Sequence, residues 1–210
     1  MRRAPRLPLE ELAPYLCAAP DPLASMAWAE IFGNDRPVEI EVGFGKGMFL
    51  VNAATACPEV NFLGIETARK YQLYAAGRMA RRGLKNVRVM MADARAFFHA
   101  CVIDASVRAI HVYFPDPWWK KRHEKRRVWM AEFAADCERV LRPGGMLYAV
   151  TDVAEYFEVI TALLAGRPKL RPLPPPPLAA PAHDLDYLTN FERKYRKAGR
   201  PIHRAVYERI

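Results

Sequence analysis

The chain has 210 residues, 51% of them hydrophobic, which suits one domain with a substantial core. Its 32 Lys and Arg against 23 Asp and Glu leave a formal charge of +9, which points to a polyanionic partner: nucleic acid or an anionic surface. No apolar stretch approaches the roughly 20 residues of a membrane span. The basic start at residues 1–6 has no apolar run behind it, so it reads as a mobile arm, not a secretory signal. Cys17, Cys57, Cys101 and Cys137 form no CxxC pair and read as the reduced thiols of a cytoplasmic protein. The five histidines show no HxxxH or HExxH spacing, so no metal site is expected.

Residues 1–35 carry helical patterning, with Leu9, Leu12 and Leu16, then Met26, Trp28, Ile31 and Phe32. They read as a helical extension before a single domain over 36–210. Pro37 to Gly47 is a short strand ending in a glycine-rich turn, with a helix from Met48 to Ala56 behind it. Gly43, Gly45 and Gly47 let the backbone approach a ligand closely, and the helix start offers free N–H groups. The plainer reading is a tight βα turn. The spacing is GxGxG, not the dinucleotide GxGxxG.

Asn61 to Glu66 is a second strand ending in an acid. Glu66 stands 19 residues after Gly47, near the separation at which an acid binds ribose hydroxyls, though a cap of the following helix is the plainer role. That helix, Ala68 to Arg82, presents Arg69, Lys70, Arg78, Arg81 and Arg82 as a basic outer face. A third strand, Val87 to Ala92, leads to Asp93, the N-cap of a helix over Ala94 to Val102. One oxygen of Asp93 can cap while the other meets a purine. A fourth strand runs from Val107 to Phe114.

The stretch that follows, Phe114-Pro115-Asp116-Pro117-Trp118-Trp119, sets one carboxylate between two prolines. Each proline biases the residue before it away from the helical region, so Phe114 and Asp116 are expected to be extended. From Lys120 to Arg127, six of eight residues are Lys or Arg. A rigid acid at a strand end, beside flat rings and a cationic run, suits a flat polar base on a polyanion. Taken alone, the charge run reads as a solvated helix start. Trp118 and Trp119 can stack on a base or simply fill the core.

A helix over Val128 to Leu141 breaks at Arg142-Pro143-Gly144-Gly145. A fifth strand, Met146 to Val150, ends in Thr151-Asp152, and a helix from Ala154 to Leu164 follows. Between residues 168 and 181 seven of fourteen residues are proline, which reads as an extended polyproline linker. Thr189-Asn190-Phe191-Glu192 leads into a basic helix that stops at Gly199, and Ile202 to Arg209 alternates like a strand.

Strands alternating with helices make an α/β fold with a mainly parallel sheet. Glu41, Glu66, Asp93, Asp116 and Asp152 all fall at or near the C-terminal ends of predicted strands, the rim where such sheets bind ligands. Five acids on one rim of a cationic protein suit a ligand with a positive centre, ribose hydroxyls and amino donors, such as S-adenosylmethionine.

The residues now assembled resemble the bacterial tRNA (guanine-N7-)-methyltransferases. The matching stretches are Glu41 to Gly47, Gly64-Ile65-Glu66, Phe114 to Trp118 with its basic tail, Leu141 to Gly145, Thr151-Asp152, and Thr189 to Glu192. Trp119 and Asn190 depart from the family pattern. The resemblance implies a Rossmann-like class I S-adenosylmethionine-dependent fold, with a mainly parallel seven-stranded sheet and helices on both faces. It implies that Glu41, Glu66, Asp93 and Asp116, with Gly43, Gly45 and Gly47, bind the methyl donor. Lys120, Asp152, Thr189, Asn190, Phe191 and Glu192 are implied to bind the target nucleotide, and Asp116 to be the catalytic acid. The product implied is 7-methylguanosine in the tRNA variable loop. On charge, Lys121, Arg122, His123, Lys125, Arg126 and Arg127 are expected to hold RNA phosphates. The partner is then tRNA, not a membrane, and the protein a monomer or homodimer. Two rival readings are a nicotinamide-dependent oxidoreductase and a non-catalytic RNA-binding protein on the same fold.

Overall fold

Segments rich in β-branched and aromatic residues form one sheet in the computed structural model, which describes residues 7–21, 23–177 and 189–210. The strands are β1 (Leu16–Cys17), β2 (Val38–Val42), β3 (Asn61–Glu66), β4 (Val87–Met91), β5 (Val107–Tyr113), β6 (Leu141–Thr151), β7 (Leu170–Leu173) and β8 (His203–Arg209). Their order is β1-β4-β3-β2-β5-β6-β8-β7. Strand β8 runs antiparallel to both β6 and β7, and the other pairings are parallel.

The helices are α1 (Leu9–Leu12), α2 (Trp28–Phe32), α3 (Met48–Ala56), α4 (Arg69–Ala80), α5 (Ala94–Cys101), α6 (Ala131–Val140), α7 (Ala154–Ala165) and α8 (Asn190–Lys197). A central parallel strand is covered on both faces, so its two residue sets enter two cores. On one face Ile40, Ile110 and Leu147 meet Phe97 and Phe98 of α5, Phe133 of α6 and Ile160 of α7. On the other, Phe62, Val89 and Tyr113 meet Leu50 of α3 and Met79 of α4. The chain moves outward from β2 through β3 to β4, then returns to β5 on the far side of β2. That reversal opens a crevice at the C-terminal ends of β2 and β5, which are paired through Val42 and Val112.

Four details differ from the sequence reading. The sheet has eight strands, not seven, because Leu16 and Cys17 of the N-terminal extension pair with Val89 and Met90. The proline-rich stretch is no free polyproline spacer at its start. Leu170 is buried, and Leu170–Leu173 pairs with β8, so contacts distant in sequence override local proline preference. The strand read from Met146 begins earlier, at Leu141, and its pairing with β5 jumps from Leu141 to Met146 across Arg142 to Gly145. Phe114 is not extended: its φ is 52°. The basic arm at 1–6 and the end of the proline-rich stretch, 178–181, lie outside the described residues.

Candidate active site at the C-terminal rim of the sheet

The glycine turn joins β2 to α3 with left-handed backbone at Gly43, Gly45 and Gly47, whose φ angles are 76°, 50° and 64°. Only glycine takes these values without strain. At Gly47 space is also exhausted, since a Cβ there would lie 2.8 Å from that of Ala75 on α4. The turn is tied to β3 by two bonds: Gly43 N–H to the Ile65 carbonyl at 2.8 Å and Gly45 N–H to Glu66 Oε2 at 3.1 Å. Glu66 Oε1 accepts from Thr67 N–H at 2.9 Å, the Thr67 hydroxyl at 3.2 Å and Ala68 N–H at 3.2 Å. Glu66 therefore clamps the turn and the start of α4, and retains acceptor capacity on Oε2.

Below the turn, Glu41 is 3% exposed, and its Oε2 has no hydrogen-bond partner. Burial, then the charge of Glu66, pushes its carboxyl up to about 8, against an opposing bond from the Leu50 N–H. A buried, unmatched carboxyl under a glycine cradle suits a ligand bearing a cation or N–H donors.

Asp93 caps α5 by accepting from Arg95 N–H at 2.9 Å. Its second oxygen, expected to face a ligand, instead meets the Arg95 guanidinium at 3.1 Å. Burial alone would raise the Asp93 carboxyl, but the Arg95 bonds outweigh it and hold the group below its ordinary value. Arg95 Nη1 also donates to the Lys125 carbonyl at 2.9 Å, which couples this corner to the basic run.

Across the crevice, Phe114 (φ 52°) and Trp118 (φ 42°) bracket Pro115-Asp116-Pro117. Strained residues of this kind persist where the surroundings fix them. The Phe114 N–H bonds the Val150 carbonyl at 2.7 Å, and Arg127 Nε bonds the Pro117 carbonyl at 2.7 Å. Asp116 is exposed and lines a hollow of about 440 Å³ with Trp118, Trp119, Lys120 and His123. Glu41, Glu66 and the glycines do not line it. The rim thus carries two adjoining parts: a glycine-and-Glu41 side after β2 and β3, and an Asp116 side after β5.

Helix α8 closes the Asp116 side. Thr189 is its N-cap and accepts from Glu192 N–H at 3.0 Å. Phe191 is 51% exposed, and its ring lies 6.0 Å from that of Phe114. Burial, then the carboxylate of Asp152, raises the Tyr195 hydroxyl above its ordinary value, and the charge of Asp116 adds to the rise. Asp116, Asp152 and Tyr195 are therefore neighbours. Glu192 is 2% exposed and accepts from Arg204 of β8 at 2.7 Å, with Arg196 at 3.6 Å. Asn190 Oδ1 accepts from Arg193 at 3.3 Å. Within this segment only Phe191 faces outward strongly. Glu192 sits in a buried ion pair.

The basic run forms a 3₁₀ helix over Lys121–Arg126. Arg126 lies over the Trp118 ring at 5.2 Å, and Arg122 Nε donates to His123 Nε2 at 3.2 Å. Arg122, Lys125 and Arg126 are exposed. Arg127 instead turns inward, its side chain 14% exposed and its guanidinium 5.7 Å from the Tyr156 ring. Trp118 is half-buried and Trp119 is 54% exposed, so neither is core. Sequence reasoning missed Tyr195 and Arg95 as parts that shape the site, and gave Arg127 to the RNA phosphates, whereas it braces the Asp116 loop from inside. Tyr195 had a signal, since it stands one helical turn after Phe191 and so shares its face.

Residues 35–205 match a family model described as "Putative methyltransferase". A tRNA (guanine-N(7)-)-methyltransferase of Rhodopirellula baltica is 42% identical over 96% of this chain and 77% of its own length. One of Aliivibrio fischeri is 37% identical over 83% of this chain and 74% of its own. Among solved structures, the aminoglycoside resistance methyltransferase NpmB1 superposes with a TM-score of 0.58 at 15% identity, covering 88% of this chain and 95% of that one. A Streptomyces coelicolor geranyl diphosphate C-methyltransferase, solved with S-adenosyl-L-homocysteine, gives 0.56 at 13% identity, covering 87% and 79%. These structures share the fold of this chain. By the family model and the curated relatives, the chain belongs to the tRNA (guanine-N(7)-)-methyltransferase family.

Proposed function

We propose that the chain transfers a methyl group from S-adenosylmethionine to N7 of a guanine in the variable loop of tRNA, with Asp116 as the catalytic carboxylate. The observation that carries the proposal is the pairing of β2 with β5, which puts the glycine turn over Glu41 beside the loop that presents Asp116. The cradle fits the donor: its glycines admit a close backbone approach, and Glu41 offers an unmatched buried oxygen to a cation. S-adenosylmethionine supplies an electrophilic methyl on a sulfonium.

Guanine N7 holds an unshared pair, so no base must act first. The new N–C bond forms as the C–S bond breaks, and the purine gains the positive charge that sulfur loses. Residues of this chain then need only align the reactants and favour that charge. Asp116, locked between Pro115 and Pro117, is placed to do the second. Glu66 fixes the turn and offers Oε2 to ribose, while Asp93 works through its cap and Arg95. Lys120 and Asp152, with Phe191, frame the target side, and Arg122, Lys125 and Arg126 face the RNA backbone. Thr189, Asn190 and Glu192 hold Phe191 in place.

Among the described residues no helix is long and apolar enough to cross a membrane. The test is to incubate the protein with tRNA and methyl-labelled donor, then digest the RNA to nucleosides. Labelled 7-methylguanosine is the expected product. Label in another nucleoside, or in none, overturns the reading.

A further inference from the structure

A second group of cations lies away from the Lys120–Arg127 run. Arg78 Nη1 donates to the Lys46 carbonyl at 2.9 Å, so this side chain reaches from α4 to the glycine turn. Arg82, one helical turn later, donates to the Arg78 carbonyl at 3.3 Å. Among the described residues, none of Lys46, Arg78 and Arg82 is in an ion pair. Burial, then the charge of Arg82, lowers the Arg78 guanidinium below its ordinary value, and Arg193 of α8 lowers it further. Positive charge from two helices thus converges beside the turn, and such crowding is relieved when an anion binds.

The two cationic groups flank the rim from opposite faces of the sheet. The run at 120–127 is held to the α5–α7 face, by Arg95 of α5 on the Lys125 carbonyl and by Arg127 over Tyr156 of α7. Helix α4 covers the other face, and Ile202, just after α8, packs with the same core. Helix α8 meanwhile sets Phe191 and Tyr195 against Phe114, beside Asp116.

We propose that Lys46, Arg78, Arg82 and Arg193 form a second phosphate-binding site for the tRNA backbone, so that RNA is gripped on both faces of the rim with its target base at Asp116 between them. This rests on the tRNA methyltransferase reading and adds a surface to it. Guanidinium groups suit the task, because each offers a planar fork of donors to a phosphate.

The test uses the full chain with Arg82→Gln and Arg193→Gln combined, and measures tRNA affinity by fluorescence anisotropy across a salt series. The affinity is expected to fall about tenfold near 0.1 M salt, and the slope of log affinity against log salt to become shallower by about 1.5, the share of two phosphate contacts. The Lys versions, Arg82→Lys with Arg193→Lys, should keep most of the slope, since they keep the charge. Arg82→Gln alone, at an exposed position, should show about half of the slope change. Melting temperature and donor affinity monitor the fold. An unchanged slope beside an active parent protein overturns this site alone, whether or not affinity falls. A parent that neither binds nor methylates tRNA overturns the tRNA reading and the site with it.

Discussion

The ring of Tyr195 lies 5.5 Å from that of Phe114, so α8 is docked on the residue that leads into the Asp116 loop. The carboxylate of Asp152 acts on the same tyrosine and helps raise its hydroxyl above the ordinary value. Tyr195→Phe keeps the ring contact and removes only that hydroxyl. A drop of about fivefold in kcat/KM is expected, the worth of one partly exposed polar contact. Tyr195→Ala removes both and should raise the KM for tRNA further. Equal effects from the two variants would show that the ring contact does nothing.

Asp116 carries the chemical burden of the proposal. Asp116→Asn preserves size and removes the charge. Single-turnover rates should fall about 100- to 1000-fold, as when one preorganised electrostatic partner is lost. Affinity for tRNA, held by cations elsewhere, should change by no more than about twofold. A variant that turns over at the parent rate removes Asp116 from the mechanism.

Glu41 gives a pH signature. Its carboxyl is raised to about 8 by burial and then by Glu66, so between the ordinary carboxylate range and about 8 the folded protein holds a proton that the unfolded chain lacks. Stability should therefore decline as pH rises through that window, and Glu41→Gln should flatten the decline. A cationic donor above Glu41 favours the ionised form, so donor binding should release a proton below pH 8 and tighten by up to about tenfold per pH unit. Calorimetry in buffers of different ionisation enthalpy reads the proton directly. No proton release in the parent would separate Glu41 from the donor site.

The resemblance implied that Glu192 binds the target nucleotide, yet the structure buries it against Arg204. Arg204→Ala should destabilise the fold by about 3 kcal/mol, because it removes a cation held at 2.7 Å from a buried carboxylate. Thermal melting measures this. A melting temperature unchanged by the substitution would leave Glu192 without its assigned structural role.

Much of the architecture was legible where local pattern and burial agree. Met48–Ala56 and Asn61–Glu66 appear with the bounds read from the sequence, since a glycine turn and an unbroken apolar run mark them. What was not legible came from distant partners. Leu16 was read on the helical spacing of Leu9 and Leu12, yet with Cys17 it becomes a strand because β4 offers an edge. Leu170–Leu173 looked like linker until β8 paired with it. Phe114 was expected to be extended before Pro115, but its bond to Val150 and its packing on α8 hold it at φ 52°. The fate of the Asp93 oxygens was likewise set by a rotamer choice of Arg95, to which spacing is blind.

The outermost strand, β7, has a consequence for behaviour at high concentration. It contains Pro172, and Pro174 to Pro177 follow it directly as four consecutive prolines. A margin that soon runs out of amide hydrogens is a poor template for another molecule's strand. Fibre growth by ladder extension should be discouraged at this side of the eight-stranded sheet.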